Sequence, residues 1–342
     1  MQTFDQALAS ADNKKHVLLG NGFSMACKSD IFSYDALFDR ADFSSLTVGA
    51  RELFELLETT DFEKVIEALK SASKIVETYP PSSKAVAEQM LKDADALKAV
   101  LVSAIAESHP EHLTEISNSR YANCREFLSK FERIFTLNYD ILTYWAIMQM
   151  EIKPELKISD GFCTPEYGTS PYVVWEIDNN FGQNLYYLHG ALHLYDAGSE
   201  IQKYTWINTG VKLTEQIRDA LDEEKYPIFV AEGTSEEKLT RIKHNAYLTK
   251  AFDSFSRIGG SLFVYGHSLA PNDEHVLRLI ERGKITKLFV GIYGDPDAQS
   301  NKMIIARAKL MRDRRDELIE GTRRRNKLEV QFYDASTAAP WG

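Results

Sequence analysis

Short apolar runs separated by longer stretches of helical spacing set the pattern of this chain. Six runs read as buried strands: His16–Leu19, Arg133–Leu137, Leu185–Leu188, Ser261–Tyr265, Lys287–Tyr293 and Leu328–Tyr333. Most end in a Gly, Asn or His turn and border helical patterning, which predicts βαβ units and a parallel sheet. Pro227–Val230 is a candidate seventh strand.

From about residue 49 to 130 the period changes. Leu53, Leu56 and Leu57, then Val65, Ile66 and Leu69, then Val86, Met90, Leu97 and Leu101 recur at helical spacing, with Pro80-Pro81 between two of the helices. This predicts an all-helical insertion between the first and second strands. In Ser199–Glu224, Thr214–Leu221 reads as helix and the residues before it as an irregular excursion or a hairpin. A length of 342 residues suits two domains or one large domain with an insertion. The pattern selects the second: one α/β domain over 1–342, a Rossmann-like parallel sheet with helices on both faces. A basic helix and a final strand close it at about 302–334.

Composition narrows the picture. With 44% apolar residues the chain can bury a core, and no apolar run nears the roughly 18 residues that span a bilayer. The polar start, MQTFDQALASADNKK, lacks the apolar stretch of a signal peptide. Cys27, Cys124 and Cys163 lie far apart without a CxxC, excluding a disulfide framework and a cysteine-rich zinc site. A reducing cytoplasm is the expected location. The net charge of −10 conceals a segment, Lys302–Lys327, that carries +6, densest at Arg323-Arg324-Arg325. Ile304, Ala308, Met311 and Leu318 fall near one face of that helix, so its charges are expected on a solvated face, and direct nucleic-acid binding is the lesser reading. Trp145, Trp175 and Trp206 are expected in the core or an interface.

Candidate chemistry gathers at strand ends. Gly20-Asn21-Gly22-Phe23-Ser24 follows the first strand, and such a turn lets a backbone approach phosphates. Met25 stands where the dehydrogenase fingerprint needs a third glycine, so hydride transfer is not supported. Asn138 and Asp140, in Thr136-Leu137-Asn138-Tyr139-Asp140, project to one side at the end of the second strand, and Asp140 doubles as a candidate helix cap. His189-Gly190 ends the third, and Gly266-His267-Ser268 repeats the logic of the first turn after the fourth. Asp273 reads as the cap of the helix His275–Arg282, and His193 as a local or surface residue. His244 and His275 sit in predicted helices and are not expected as ligands; Glu232-Gly233 is a turn near the pocket.

Together, Gly-x-Gly-x-Ser, Asn-Tyr-Asp, His-Gly and Gly-His-Ser in this order resemble the sirtuin superfamily, specifically its divergent bacterial branch in antiviral defence. The resemblance covers residues 16 to about 295. It implies a Rossmann-like site for NAD as substrate. Gly20, Asn21, Gly22, Phe23 and Ser24 would hold the pyrophosphate, and Gly266, His267 and Ser268 the adenosine side. Asn138 would orient the nicotinamide ribose and the attacking water, His189 would be the general base, and Asp140 would hold the carboxamide. Deacetylase members carry a four-cysteine zinc module and a Gly-Ile-Pro-x-Phe-Arg loop. This chain has neither, reading Met25-Ala26-Cys27-Lys28-Ser29-Asp30 after the first turn, so water is the expected acceptor and no metal is expected. The resemblance therefore implies an NAD hydrolase that depletes NAD in anti-phage defence, regulated in a homo-oligomer or by a partner such as a HerA-type ATPase. The alternative is a catalytically silent module that senses NAD or ADP-ribose.

Overall fold

The computed structural model describes every residue except 47–48, 111, 165–171, 179–181, 206–211, 224, 226, 231–233 and 321–325. Trp206, Glu232-Gly233 and Arg323-Arg324-Arg325 lie outside the described residues. In chain order, α1 (Phe4–Ser10) leads to β1 (Lys15–Leu19). The helices α2 (Gly22–Cys27), α3 (Ser29–Phe32), α4 (Tyr34–Arg40), α5 (Ala50–Leu56), α6 (Phe62–Val76), α7 (Lys84–Ser108) and α8 (Asn118–Leu128) precede β2 (Arg133–Thr136). Then come α9 (Leu142–Met148), β3 (Phe162–Cys163), β4 (Tyr172–Trp175), β5 (Leu185–Tyr187), β6 (Leu194–Asp196) and β7 (Ile201–Tyr204). The last third runs α10 (Leu213–Asp222), α11 (Ser235–His244), α12 (Ala246–Ser256), β8 (Gly259–Tyr265), α13 (Glu274–Arg282), β9 (Lys284–Ile292), α14 (Gln299–Ile319) and β10 (Glu329–Asp334).

Six strands form one parallel sheet in the order β10-β9-β8-β1-β2-β5. Counted along the chain from the β5 edge, that is 3-2-1-4-5-6, the order of dinucleotide-binding folds, with the reversal between β1 and β8. All six expected strands are present, with ends displaced by at most three residues. The central strand shows why the run was continuous. Val17 and Leu19 pack into a core with Phe4 and Phe23, while Leu18 faces a second core built from α12, α13 and α14. Both faces are covered, so both parities are apolar.

The expected helical insertion is present, and its apolar positions divide. Val65, Ile66, Leu69, Leu97 and Leu101 are buried, whereas Leu56, Leu57 and Val86 are exposed. α8 belongs to the sheet layer, because Phe127 stacks on Phe4 and meets Phe23 and Tyr265. Pro227–Val230 forms no strand. It lies extended beside the 189–194 segment, with Ile228 N–H donating to Leu194 O at 2.7 Å and Val230 N–H to His189 O at 2.8 Å.

A second, antiparallel sheet, β3-β4-β7-β6, was not expected beyond the hairpin weighed near residue 199. Its strands span two to four residues, too short for a periodic signal, and β7 carries Gln202 and Lys203. Lys203 is buried there and paired with the equally buried Asp160. The basic α14 also departs from expectation. Its inward row continues from Ala308 and Met311 to Arg315, which is fully buried, while Leu318 is exposed. The Arg315 guanidinium donates to the carbonyls of Ile280, Glu281 and Asn326, satisfying the otherwise open end of α13. Arg314 pairs with Glu274 and Glu281, so several of these charges serve the fold. Among the described residues no helix is long and apolar enough to cross a membrane.

Five of the eight histidines are buried and held below their ordinary pKa by desolvation: His16 and His275 to about 4, His109 to about 3, and His189 and His193 well below 6.5. Below pH 6.5 the unfolded chain takes up protons that the folded chain refuses. Stability present at neutral pH is therefore lost progressively as pH falls from 6.5 to 4, at up to about 1.4 kcal/mol per pH unit for each histidine. Thermal melts at pH 7.5, 6.0 and 5.0 should show a falling Tm; a flat profile from 7.5 to 5.0 contradicts this burial.

Candidate functional site

The site begins where two βα turns cross. Gly20 N–H donates to Tyr265 O at 2.9 Å and Gly22 N–H to Gly266 O at 2.8 Å, locking the end of β1 to that of β8. A Cβ on Gly20 would lie 2.6 Å from Gly266 O, and one on Gly22 2.6 Å from Gly266 Cα. Gly266 itself has a φ of +69°. Glycine is thus required at all three positions by the approach of one backbone to another. The amides of Gly20, Gly22 and Phe23 are all engaged within the protein, Phe23 N–H with Gly20 O. Any phosphate recognition by this turn has to come from its other groups.

A cavity of about 950 Å³ opens at this crossing, at the top of the range for sites that enclose small molecules. Gly20, Asn21, Gly22, Asn138, Asp140, His189, Gly266, His267 and Ser268 all line it. The residues expected from four separate strand ends therefore meet at one place. The side chains of Phe23 and Ser24 are set back from the lining. Phe23 is core, against Phe127 and Trp341. Ser24 is fully buried and acts on its neighbours.

Ser24 Oγ donates to Asp140 Oδ2 and accepts from Asn138 Nδ2 at 2.8 Å. The direction follows from chemistry: an ionised carboxylate only accepts, so the hydroxyl spends its proton there and takes the amide hydrogen on a lone pair. This fixes the Asn138 carboxamide and leaves its Oδ1 as the acceptor end. Asp140 also accepts Leu142 N–H, the first amide of α9, at 2.9 Å from one residue before the cap position, and it lines the cavity as well. Burial pushes the Asp140 carboxyl up from its ordinary pKa, against these two hydrogen bonds.

Across the cavity lies a group of charges. His189 Nε2 is 3.0 Å from His275 Nε2 and 3.8 Å from Asp273 Oδ1. His267 accepts Leu269 N–H on Nδ1 at 3.0 Å, so its Nε2 carries the proton donated to Asp273 Oδ2 at 2.9 Å. Lys238, 1% exposed, places Nζ 2.9 Å from Glu63 Oε2 and 3.2 Å from Asp273 Oδ1. Burial disfavours every charge here. His189 is kept neutral by it, although Asp273 pulls the other way. For Asp273 the balance reverses: against burial, the His267 hydrogen bond and the Lys238 charge hold the carboxyl well below its usual range.

Two expectations are corrected. His193 is fully buried between Tyr144 and Tyr187, with neither ring nitrogen hydrogen-bonded among the described residues, because Gly190 turns the chain inward. Asp273 makes no side-chain cap; its oxygens are taken by His267 and Lys238. His275 lies in the helix expected for it and faces His189. Sequence reading missed Glu63, Lys238 and the wall formed by Ala339–Gly342. Trp341 is almost fully buried, with its ring 5.2 Å from Phe23 and Nε1–H donating to Phe23 O at 2.9 Å. A tryptophan isolated after a strand is the signal that pointed there.

The family described as "Domain of unknown function (DUF4917)" matches residues 17–341. Comparison with curated proteins finds no match.

The crossing makes a sharp prediction. Gly266→Ala should destabilise by about 3 kcal/mol or more, combining overpacking with a disfavoured φ. Gly198→Ala, at a similar φ of +82° but with nothing within 4 Å, should cost about 1–2 kcal/mol. Urea melts compare them; equal losses would mean the crossing is not tight.

Proposed function

The chain belongs to the DUF4917 family of unknown function, and from the site we propose that it is an NAD hydrolase, cleaving the nicotinamide–ribose bond with water as acceptor. One observation carries the reading: strand ends bearing Gly-x-Gly, Asn-x-Asp, His-Gly and Gly-His-Ser converge on one cavity, at the switch point of a sheet in dinucleotide-binding order.

The residue chemistry suits that bond. Nicotinamide leaves as a neutral base from a pyridinium, so no strong general acid is needed, and positive charge builds on the ribose. Asn138, held by Ser24, presents a fixed acceptor that can orient a ribose hydroxyl or the attacking water. Water adds to the anomeric carbon as the C–N bond breaks, and its proton passes to neutral His189. Asp273, 3.8 Å away, stabilises the imidazolium that results. The products are nicotinamide, ADP-ribose and a proton. Asp140 supplies a carboxylate for the carboxamide. The sirtuin-like motifs further support NAD depletion in antiviral defence, with activity governed by a homo-oligomer or by a HerA-type partner.

The test is chromatography of NAD incubated with the purified chain, alone and with the product of its neighbouring gene. Nicotinamide and ADP-ribose should appear in equal amounts, and Asn138→Ala and His189→Ala should each lower the rate by roughly 100-fold or more. Unchanged rates in both variants would sink the mechanism. Calorimetric NAD binding without nicotinamide release in any condition would select the silent sensor instead.

A further inference from the structure

Two imidazoles and a carboxylate meet at one wall of the cavity. One ligand atom from each of His189, Asp273 and His275 lies within 4.8 Å of the other two. They arrive from separate elements: His189 follows β5, Asp273 precedes α13, and His275 is in its first turn. The two Nε2 atoms are 3.0 Å apart, the rings meeting edge to edge with their planes 20° from parallel. Two neutral imidazole nitrogens at that distance either share a single proton or direct both lone pairs at one cation. Tetrahedral zinc with bonds of about 2.0–2.1 Å needs its nitrogens roughly 3.3 Å apart, a few tenths beyond their present separation.

The surroundings are those of a ligand set. His275 Nδ1 faces Ser235 Oγ at 3.3 Å, which orients the ring and leaves Nε2 to coordinate. Asp273 Oδ2 is held at 2.9 Å by His267, whose tautomer is fixed by Leu269 N–H. The nearest cation, Lys238, touches Asp273 Oδ1 at 3.2 Å but keeps Glu63 at 2.9 Å as a partner when that oxygen is shared. His189 and Asp273 line the cavity, so a further coordination position opens onto it.

We propose that His189, Asp273 and His275 bind a zinc-class divalent transition-metal ion with one position open to the cavity. The scattered cysteines exclude a thiolate site and leave this nitrogen–oxygen site untouched. The inference goes beyond the hydrolase reading and does not rest on it. An ion here takes the His189 nitrogen nearest Asp273, so loading replaces the base by a Lewis acid.

Binding is measured without NAD. Chelator-treated chain titrated with Zn²⁺ at pH 7.5 should take up one equivalent by calorimetry, with a rise in Tm. His275→Gln and Asp273→Asn, checked for folding by circular dichroism, should each bind roughly tenfold or more weakly. X-ray absorption on the zinc-loaded wild type requires no variant to fold; it should show imidazole nitrogens at about 2.0–2.1 Å and no sulfur. The proposal is overturned by no uptake up to millimolar Zn²⁺, by undiminished binding in folded His275→Gln, or by a sulfur shell. None of these outcomes depends on whether NAD is hydrolysed.

Discussion

Everything at the site depends on how closely two backbones can pass. β1 and β8 run side by side at the point where the sheet reverses its winding, and their following turns cross through Gly20, Gly22 and Gly266. The two hydrogen bonds at that crossing tie the first and fourth strands of the sheet at their functional ends. Fixing that point fixes where β2 and β5 deliver Asn138 and His189, since β2 is registered against β1 and β5 against β2 through parallel pairing. The glycines therefore serve geometry first. With three of the turn's amides already bonded, ligand recognition falls to side chains more than the glycine-rich spelling suggested.

Two polar assemblies face one another across the resulting cavity, and they are built on opposite logic. Asn138, Ser24 and Asp140 form a short chain that orients a neutral amide. Lys238, Glu63, Asp273, His267, His189 and His275 form a dense group in which a buried ammonium sits between Asp273 and Glu63, whose carboxyl burial pushes up to about 7, while His189 and His275 stay neutral. A buried ion pair of this kind rarely pays for itself in stability. Its value lies in holding Asp273 ionised beside His189, and because Glu63 comes from α6, the helical insertion takes part in setting the chemistry.

The sheet was legible in the sequence because parallel strands covered on both faces read as unbroken apolar runs, and the strand ends because Gly, Asn and His interrupt those runs abruptly. What was hidden has equally physical reasons. Lys238 lies 175 residues from Glu63 and 35 from Asp273, and each alone looks like a helix surface or a cap. Strands as short as β3 carry no period. His193 has the spelling of a loop residue, and only the turn at Gly190 puts it inside. His275 was read as an ordinary helical histidine, since nothing local announces a partner 86 residues away.

The residue wedged deepest against the first glycine turn is Trp341, bonded to a carbonyl 318 positions earlier. On a ribosome, the first turn emerges 318 residues ahead of the indole that walls it. Until that indole arrives, Phe23 keeps an uncovered face and the pocket lacks one side. A nascent chain thus carries its motif through 318 further residues of synthesis without a finished pocket around it, so maturation of the site waits for residues 339–342.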